Sequence, residues 1–279
     1  MKEEQENKGN KEKQEKIYVM GNWKMNKLPG DVLSFFDKLI PNLRKYINEK
    51  TKNGDIKLST IKKLETIIAV PYIDMFYANL YANEEKRIKI AAQDVFYKNE
   101  GSYTGEISPM MLKSIDVNTS IVGHSERRAM GETGDIINKK IKALLDENMK
   151  VILCIGENAE DFKKENTKKV LKKELDEALK DISDKKEDII VAYEPIWAIG
   201  TGESCSYDIA KDVIKYIKSE MIKKGFSDPK VVYGGSVNSE NSTSYLETGV
   251  IDGFLIGTSS LNPNEFLKIY INSAKFLNK

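Results

Sequence analysis

Residues 150–195 decide the fold, and they read KVILCIGENAEDFKKENTKKVLKKELDEALKDISDKKEDIIVAYEP. The first and last eight residues are almost continuously apolar, which is typical of strands that are buried on both faces. Between them, residues 166–182 repeat their apolar side chains at a helical period. A strand, a helix and a second strand in this order indicate a parallel pair with a right-handed crossover.

The same unit recurs along the chain. Apolar or β-branched runs alternate with longer segments of helical period, such as residues 135–148. The eight predicted strands cover residues 16–23, 66–71, 88–95, 119–125, 150–157, 188–195, 230–236 and 252–258. They predict an α/β fold, a closed (β/α)8 barrel with eight parallel strands inside an outer ring of helices. A doubly wound sheet is the alternative, weakened because no G-x-G-x-x-G follows the first strand.

The composition disfavours several classes of protein. Lys and Arg number 44 against 43 Asp and Glu, so the basic excess typical of a nucleic-acid-binding protein is missing. No apolar run approaches the length of a membrane span. The two cysteines, Cys154 and Cys205, are too few for a disulfide framework and fit a reducing compartment. We therefore expect a soluble, cytoplasmic protein with neither a nucleic-acid nor a membrane partner.

One domain is expected. Residues 1–16 are highly charged and contain no large apolar side chain after Met1, so they are predicted to form a disordered tail rather than a secretory signal. Residues 17–279 then form a single barrel. Residues 48–63 add more chain than one helix needs, and we interpret the excess as a surface elaboration away from the chemistry.

The ends of the predicted strands carry the candidate functional residues, because a barrel of this kind builds its site at the carboxyl ends of its strands. Asn22 and Lys24 end the first strand, the only histidine, His124, ends the fourth, and Glu194 ends the sixth. The last two strands end in Gly234, Gly235, Ser236, Gly257 and Thr258. A solvated lysine, a structural histidine or a turn glycine would each be unremarkable alone. Together on one rim they indicate a base, a hydrogen-bonding electrophile and an anion cradle.

His124 directly precedes a predicted helix whose first turn contains Ser125 and Glu126. The positive end of that helix disfavours imidazolium, so we expect a neutral ring.

Four motifs point to a known family: NWKMN, VGHSERR, AYEPIWAIGTG and YGGSV, in this order. Together they resemble the triosephosphate isomerase family, from about Lys16 to the C-terminus. The resemblance implies a TIM barrel that interconverts dihydroxyacetone phosphate and D-glyceraldehyde 3-phosphate through an enediol, in glycolysis and gluconeogenesis, without metal or cofactor. It makes Glu194 the base and His124 the neutral electrophile. Lys24 and Asn22 would stabilise the negative charge.

The resemblance also assigns supporting residues. Glu126 would lie near Lys24 with Ser125 beside it, although a simple role as a helix N-terminal charge stays open. The backbone N–H groups of Gly200, Ser236, Gly257 and Thr258 would bind the substrate phosphate. We rank Thr258 below the others, because a positive φ would cost a threonine about 1 kcal/mol or more.

A lid loop is implied next to the base. It comprises Pro195, Ile196, Trp197, Ala198, Ile199, Gly200, Thr201 and Gly202, and closing it would exclude water. The far hinge usually reads Lys-Thr-Ala in the family, whereas here it is Glu203, Ser204 and Cys205. We expect Cys205 to be exposed, so that its modification slows the lid, and Cys154 to belong to the core.

Residues 97–109 resemble the family's dimer loop. Tyr103 and Thr104 would form its tip and reach the neighbouring subunit, where Met25 would meet them. The expected partners are therefore a small triose phosphate and a second copy of the chain.

Two other classes of function are the alternatives: a barrel enzyme that uses the same phosphate cradle for different chemistry, such as an aldolase or a sugar-phosphate epimerase, and a non-catalytic binding protein. An aldolase needs a Schiff-base lysine inside the barrel, and no lysine of the later predicted strands is placed for that role. A metal-dependent epimerase needs several His or acidic ligands, whereas this chain has a single histidine. A non-catalytic binding or adhesion protein would have no physical reason to keep Lys24, His124 and Glu194 together.

Overall fold

The computed structural model describes residues 16–198 and 205–279. Eight parallel strands form a closed barrel in which each strand pairs with the next and the last pairs with the first. The strands are β1 (Ile17–Asn22), β2 (Leu64–Val70), β3 (Ile88–Ala92), β4 (Thr119–Val122), β5 (Lys150–Ile155), β6 (Ile189–Tyr193), β7 (Lys230–Tyr233) and β8 (Gly253–Ile256). The predicted (β/α)8 barrel is confirmed.

Helices surround this barrel. They are α1 (Pro29–Lys52), α2 (Leu58–Ile61), α3 (Tyr72–Glu84), α4 (Pro109–Lys113), α5 (Ser125–Ala129), α6 (Gly134–Asp146), α7 (Ala159–Lys163), α8 (Thr167–Ala178), α9 (Tyr207–Lys223), α10 (Ser242–Glu247) and α11 (Pro263–Leu277). In the described residues, short 3₁₀ helices span Lys186–Asp188, Ile196–Ala198 and Thr258–Leu261. Among the described helices, none is long and apolar enough to cross a membrane.

Alternation along the strands divides the apolar side chains between two cores. On β5, Ile152 and Cys154 point into the barrel, whereas Val151 and Leu153 pack under the helices. The outer core is completed by helix stripes such as Ile137, Ile141 and Leu144 on α6, all fully buried. Strands with both faces buried explain why the predicted strands are runs of apolar residues rather than alternating patterns.

The observed strands stop earlier at their carboxyl ends than the predicted ones. The fourth run was predicted to extend to residue 125, but β4 ends at Val122, and Gly123 adopts a positive φ of 71°. His124, two residues beyond the end of β4, therefore lies in the turn at the barrel mouth.

Residues 48–63 lie at the amino end of β2, opposite the barrel mouth. Their first part extends α1, and the rest includes α2. The side chain of Asn278 fastens this segment, since its Nδ2 donates to Asp55 O at 2.9 Å and its Oδ1 accepts from Thr60 Oγ1 at 3.4 Å.

Candidate active site

A cavity of about 210 Å³ opens at the carboxyl ends of the strands. It brings together residues from β1, β4, β6, β7 and β8 that are far apart in the sequence. Its lining comprises Asn22, Lys24, His124, Glu194, Gly234, Gly235, Ser236, Val237, Asn238, Leu255, Gly257, Thr258 and Ser259. The strand-end residues singled out from the sequence therefore share one cavity.

Glu194 and His124 form the most buried polar pair in this cavity. Glu194 follows β6 and is 2% exposed, and His124 follows β4 and is 5% exposed. The Nε2 atom of His124 lies 2.9 Å from Oε1 of Glu194. The other carboxylate oxygen, Oε2, accepts the backbone N–H of Ser125 at 3.1 Å. A carboxylate and an imidazole are thus held in contact at the mouth of the barrel.

The start of α5 determines which nitrogen of His124 carries the proton. His124 is the N-cap residue, and its Nδ1 accepts the backbone N–H of Glu126 at 3.2 Å. An accepting Nδ1 holds no proton, so we assign the ring proton to Nε2, facing Glu194. The helix start thereby favours a neutral imidazole that donates into the cavity.

The charge state of Glu194 reflects opposing effects. Burial alone would raise its pKa, but the hydrogen bond from His124, the N–H of Ser125 and the positive charge of Lys24 outweigh burial and hold the pKa below its ordinary value. The carboxyl group is therefore ionised at neutral pH, as a base must be.

Lys24 is fixed by its backbone as well as by its side chain. Its φ of 54° lies in the left-handed region, which costs a lysine about 1 kcal/mol. Its N–H donates to Asn22 Oδ1 at 3.0 Å, and its carbonyl accepts from Gln93 Nε2 at 3.0 Å. The ammonium lies 2.6 Å from Oε1 of Glu126. Gln93 was not predicted from the sequence, although it follows β3 as a polar residue.

The turns after β7 and β8 complete the cavity with backbone. Gly257 lies beside the lysine stem, since a Cβ atom there would come within 3.9 Å of Lys24 Cε. The expectation of strain at Thr258 is wrong. Thr258 begins a 3₁₀ helix and is not among the residues with positive φ, so its N–H is available without that cost.

Glu157 is a buried acid that the sequence did not single out. Its Oε1 accepts from Trp197 Nε1 at 2.9 Å and from the Tyr193 hydroxyl at 3.1 Å. Burial raises its pKa. It anchors the 3₁₀ helix Ile196–Ala198, which follows Pro195 at the start of the predicted lid. The predicted lid residues Ile199, Gly200, Thr201 and Gly202, and the hinge residues Glu203 and Ser204, lie outside the described residues, as do residues 1–15 of the predicted tail.

Comparison with known proteins places this cavity in a family. The sequence model of the family described as "Triosephosphate isomerase" matches residues 17–273 of the chain. The chain belongs to the triosephosphate isomerase family. Similar relatives carry the same name. One from Dehalococcoides mccartyi strain BAV1 is 38% identical, over 94% of this chain and 98% of the relative.

Two further triosephosphate isomerases give the same picture. The relative from Fusobacterium nucleatum is 39% identical, over 91% of this chain and 97% of its own length. The relative from Thermoanaerobacter pseudethanolicus is 35% identical, over 90% and 97%. The similarity therefore spans the whole barrel rather than one motif.

One expectation taken from the triosephosphate isomerase resemblance is wrong in this chain. Cys205 was expected to be exposed at the hinge, but it is fully buried. Its carbonyl accepts the Tyr245 hydroxyl at 2.6 Å, and burial raises the pKa of its thiol to about 12. The hypothesis that modification of an exposed Cys205 slows the lid therefore has no physical basis in this structure. Cys154 is buried inside the barrel, as predicted.

The residues expected at a dimer contact lie on the surface of the chain. Met25 is 96% exposed, and Tyr103 is 42% exposed while its ring packs 4.6 Å from that of Phe96. Thr104 beside it is exposed. The helix α3 adds exposed apolar side chains on one face, namely Tyr72, Ile73, Phe76, Tyr77 and Leu80.

Proposed function

We propose that Glu194 transfers the proton in the reaction for which this family is named. The chain is an aldose–ketose isomerase that interconverts dihydroxyacetone phosphate and D-glyceraldehyde 3-phosphate. The observation that carries the assignment of the base is the 2.9 Å contact between Glu194 and His124 in the cavity. This contact places an ionised carboxylate and a neutral N–H donor next to each other in the cavity.

The proton transfer follows from these two groups. The Glu194 carboxylate leaves His124 and removes a proton from the carbon beside the substrate carbonyl. The electron pair of that C–H bond forms the C=C bond of the enediolate, and the π pair of the C=O bond moves onto the carbonyl oxygen. The freed Nε2–H of His124 donates to that oxygen. His124 gives this proton to the oxygen and takes the hydroxyl proton of the neighbouring carbon in return. Glu194 then delivers its own proton to the former carbonyl carbon, the second oxygen becomes the new carbonyl, and ketose is converted to aldose. The carboxylate is regenerated, so the cycle consumes nothing.

Lys24 and Asn22 stabilise the enediolate between these steps. The Oδ1 atom of Asn22 is occupied by the Lys24 N–H, which leaves its amide N–H groups for the substrate. Lys24 brings a positive charge held by Glu126. Donors aimed at a developing oxyanion typically lower the barrier by about 3 kcal/mol each. The shift of the C–H proton therefore becomes accessible to an ordinary carboxylate.

The substrate phosphate binds to the turns after β7 and β8. Backbone N–H groups of Ser236, Gly257 and Thr258 provide donors at one end of the cavity, and Lys24 adds a positive charge. Gly234, Gly235 and Gly257 carry no side chains, which lets a phosphate approach the backbone closely.

We also infer that the chain works as a homodimer in the cytoplasm, within glycolysis and gluconeogenesis. The exposed apolar face of α3, Met25 and Tyr103 support the dimer, because apolar side chains gathered on one helix face of a monomer mark an interaction surface.

Conversion of D-glyceraldehyde 3-phosphate by the purified protein tests this assignment. Glu194→Gln keeps the shape of the side chain and removes the base, so turnover should fall at least about a thousandfold. Glu160→Gln on α7, an exposed acid paired with Lys164, is the matched control and should keep full turnover. Undiminished turnover in Glu194→Gln would contradict the role of Glu194.

A further inference from the structure

Two stacked tyrosines lie behind the turn that follows β7. Tyr233 is the last residue of β7, and Tyr245 lies on α10. Both are fully buried, with ring centroids 4.3 Å apart and planes 25° from parallel. Tyr207 on α9 closes the stack, 4.7 Å from Tyr245 and edge-on. The cluster therefore joins the barrel to two outer helices at the level of the cavity.

Their hydroxyl groups form a chain with one direction. Tyr245 donates its single proton to Cys205 O at 2.6 Å. The Tyr233 hydroxyl lies 3.2 Å from the Tyr245 oxygen, so Tyr233 is the donor in that contact. A buried hydroxyl without a partner is costly, and each of these hydroxyls is therefore held in place by the next group.

The Tyr233 hydroxyl in turn touches the glycine turn of the cavity. A Cβ atom on Gly235 would lie 2.1 Å from Tyr233 Oη, so the hydroxyl occupies the space that a side chain would need. Gly235 and Ser236 line the cavity, and Asn241 fastens the same turn by donating to Ser236 O at 2.9 Å. The position of the Tyr233 ring thus sets the position of the Gly234–Ser236 backbone.

We propose that Tyr245 is a positioning residue for phosphate binding. Tyr245 does not line the cavity, but its oxygen accepts the hydrogen bond of the Tyr233 hydroxyl and so fixes the Tyr233 ring against Gly235. Its own hydroxyl proton is donated to the carbonyl of Cys205, which precedes α9. The inference rests on the proposed function, because it takes the turn after β7 as a phosphate site. It adds a residue from an outer helix to the determinants of substrate affinity.

Loss of the Tyr245 hydroxyl should weaken phosphate binding more than chemistry. The Tyr233 hydroxyl would lose its acceptor, and the turn would lose a fixed support on one side. One hydrogen bond of ordinary strength corresponds to about a fivefold change in an equilibrium constant. Glu194 and His124 lie on other strands, so the proton transfer itself should be affected little.

The experiment compares Tyr245→Phe with Tyr270→Phe. The control residue on α11 is 2% exposed, and within the described part of the chain its hydroxyl has no hydrogen-bond partner. In Tyr245→Phe, the KM and the dissociation constant of inorganic phosphate should each rise about fivefold, with kcat within about twofold. Tyr270→Phe should leave all three unchanged. An unchanged KM in Tyr245→Phe, or a loss confined to kcat, would overturn the proposal.

A double-mutant cycle separates positioning from general loosening. In a Tyr233→Phe background, Tyr245→Phe should no longer change phosphate affinity, because the hydroxyl that it holds is already gone. A full effect in that background would overturn the route through Tyr233. Phosphate affinity is measured by calorimetry and needs no turnover. Failure of the proposed function would appear separately, as a wild-type protein that binds phosphate without isomerising triose phosphates.

Discussion

His124 Nε2 and Glu194 Oε1 lie 2.9 Å apart, so the proposed electrophile and the proposed base of the cavity contact each other directly. The pair is buried, and each group satisfies the other where water is scarce. In the proposed reaction, this contact breaks before either group acts on the substrate. The same contact keeps Glu194 ionised, which makes its charge state measurable through protein stability.

The stability of the chain should depend on Glu194 at acidic pH. Because the folded protein lowers the pKa of Glu194, the carboxylate contributes stability above the unfolded pKa of about 4.3, and this contribution is lost as pH falls through the folded pKa. The free energy of unfolding in urea should be measured for wild type and Glu194→Gln from about pH 7 to about pH 3. The wild-type value should drop relative to the variant below about pH 4.3. A relative gain on acidification would show that folding raises this pKa.

Removal of the charge at Glu126 should affect catalysis more than stability. Glu126 is half-exposed and holds the Lys24 ammonium at 2.6 Å, and exposed pairs contribute at most about 1 kcal/mol. A displaced ammonium should lower kcat/KM of Glu126→Gln about tenfold or more. Glu160→Gln breaks the Lys164 pair of the same 2.6 Å length and should change neither quantity. Loss of stability with full turnover would instead favour a helix N-terminal charge.

The sequence predicts those residues of the candidate site that lie at the ends of apolar runs. Lys24, His124 and Glu194 each interrupt such a run, so the periodicity that predicts the strands also predicts the rim. Glu157 could not be assigned in this way, because its partner Trp197 is 40 residues away and only folding brings them together. Cys205 was wrongly expected to be exposed, since nothing in its neighbourhood of the sequence reveals that a tyrosine cluster covers it.

Gly156 should be intolerant of any side chain because it lies against the backbone of Glu194. A Cβ atom there would come within 1.8 Å of the carbonyl oxygen of Glu194. Gly156→Ala should therefore displace Glu194, destabilise the fold by about 1–3 kcal/mol and lower turnover about a hundredfold. Gly30→Ala in the first turn of α1 meets no atom within 4 Å and serves as the control. Thermal melting and kcat/KM report the two effects, and normal turnover in Gly156→Ala would contradict the contact.

Neither cysteine should react in the native protein. Cys154 and Cys205 are both fully buried, and burial raises the pKa of both thiols, that of Cys205 to about 12. The thiolate is the nucleophile, so iodoacetamide at about pH 8 should leave the native chain unlabelled and label both positions in urea. Mass spectrometry counts the adducts. Rapid labelling of Cys205 in the folded protein, with loss of turnover, would restore the idea of a reactive hinge thiol.

The exposed face of α3 should mediate the homodimer. Ile73 is 67% exposed beside other apolar side chains of that face. The control is Ile222, which is similarly exposed at 58% but lies on a different helix, α9. An aspartate at position 73 stands in the first turn of α3, where a negative charge favours the helix, so the fold should persist. It would place an unpaired charge in the interface. Sedimentation at micromolar concentration should give dimers for wild type and Ile222→Asp but monomers for Ile73→Asp. A monomeric wild type would refute the dimer, and a dimeric Ile73→Asp would exclude α3 from its interface.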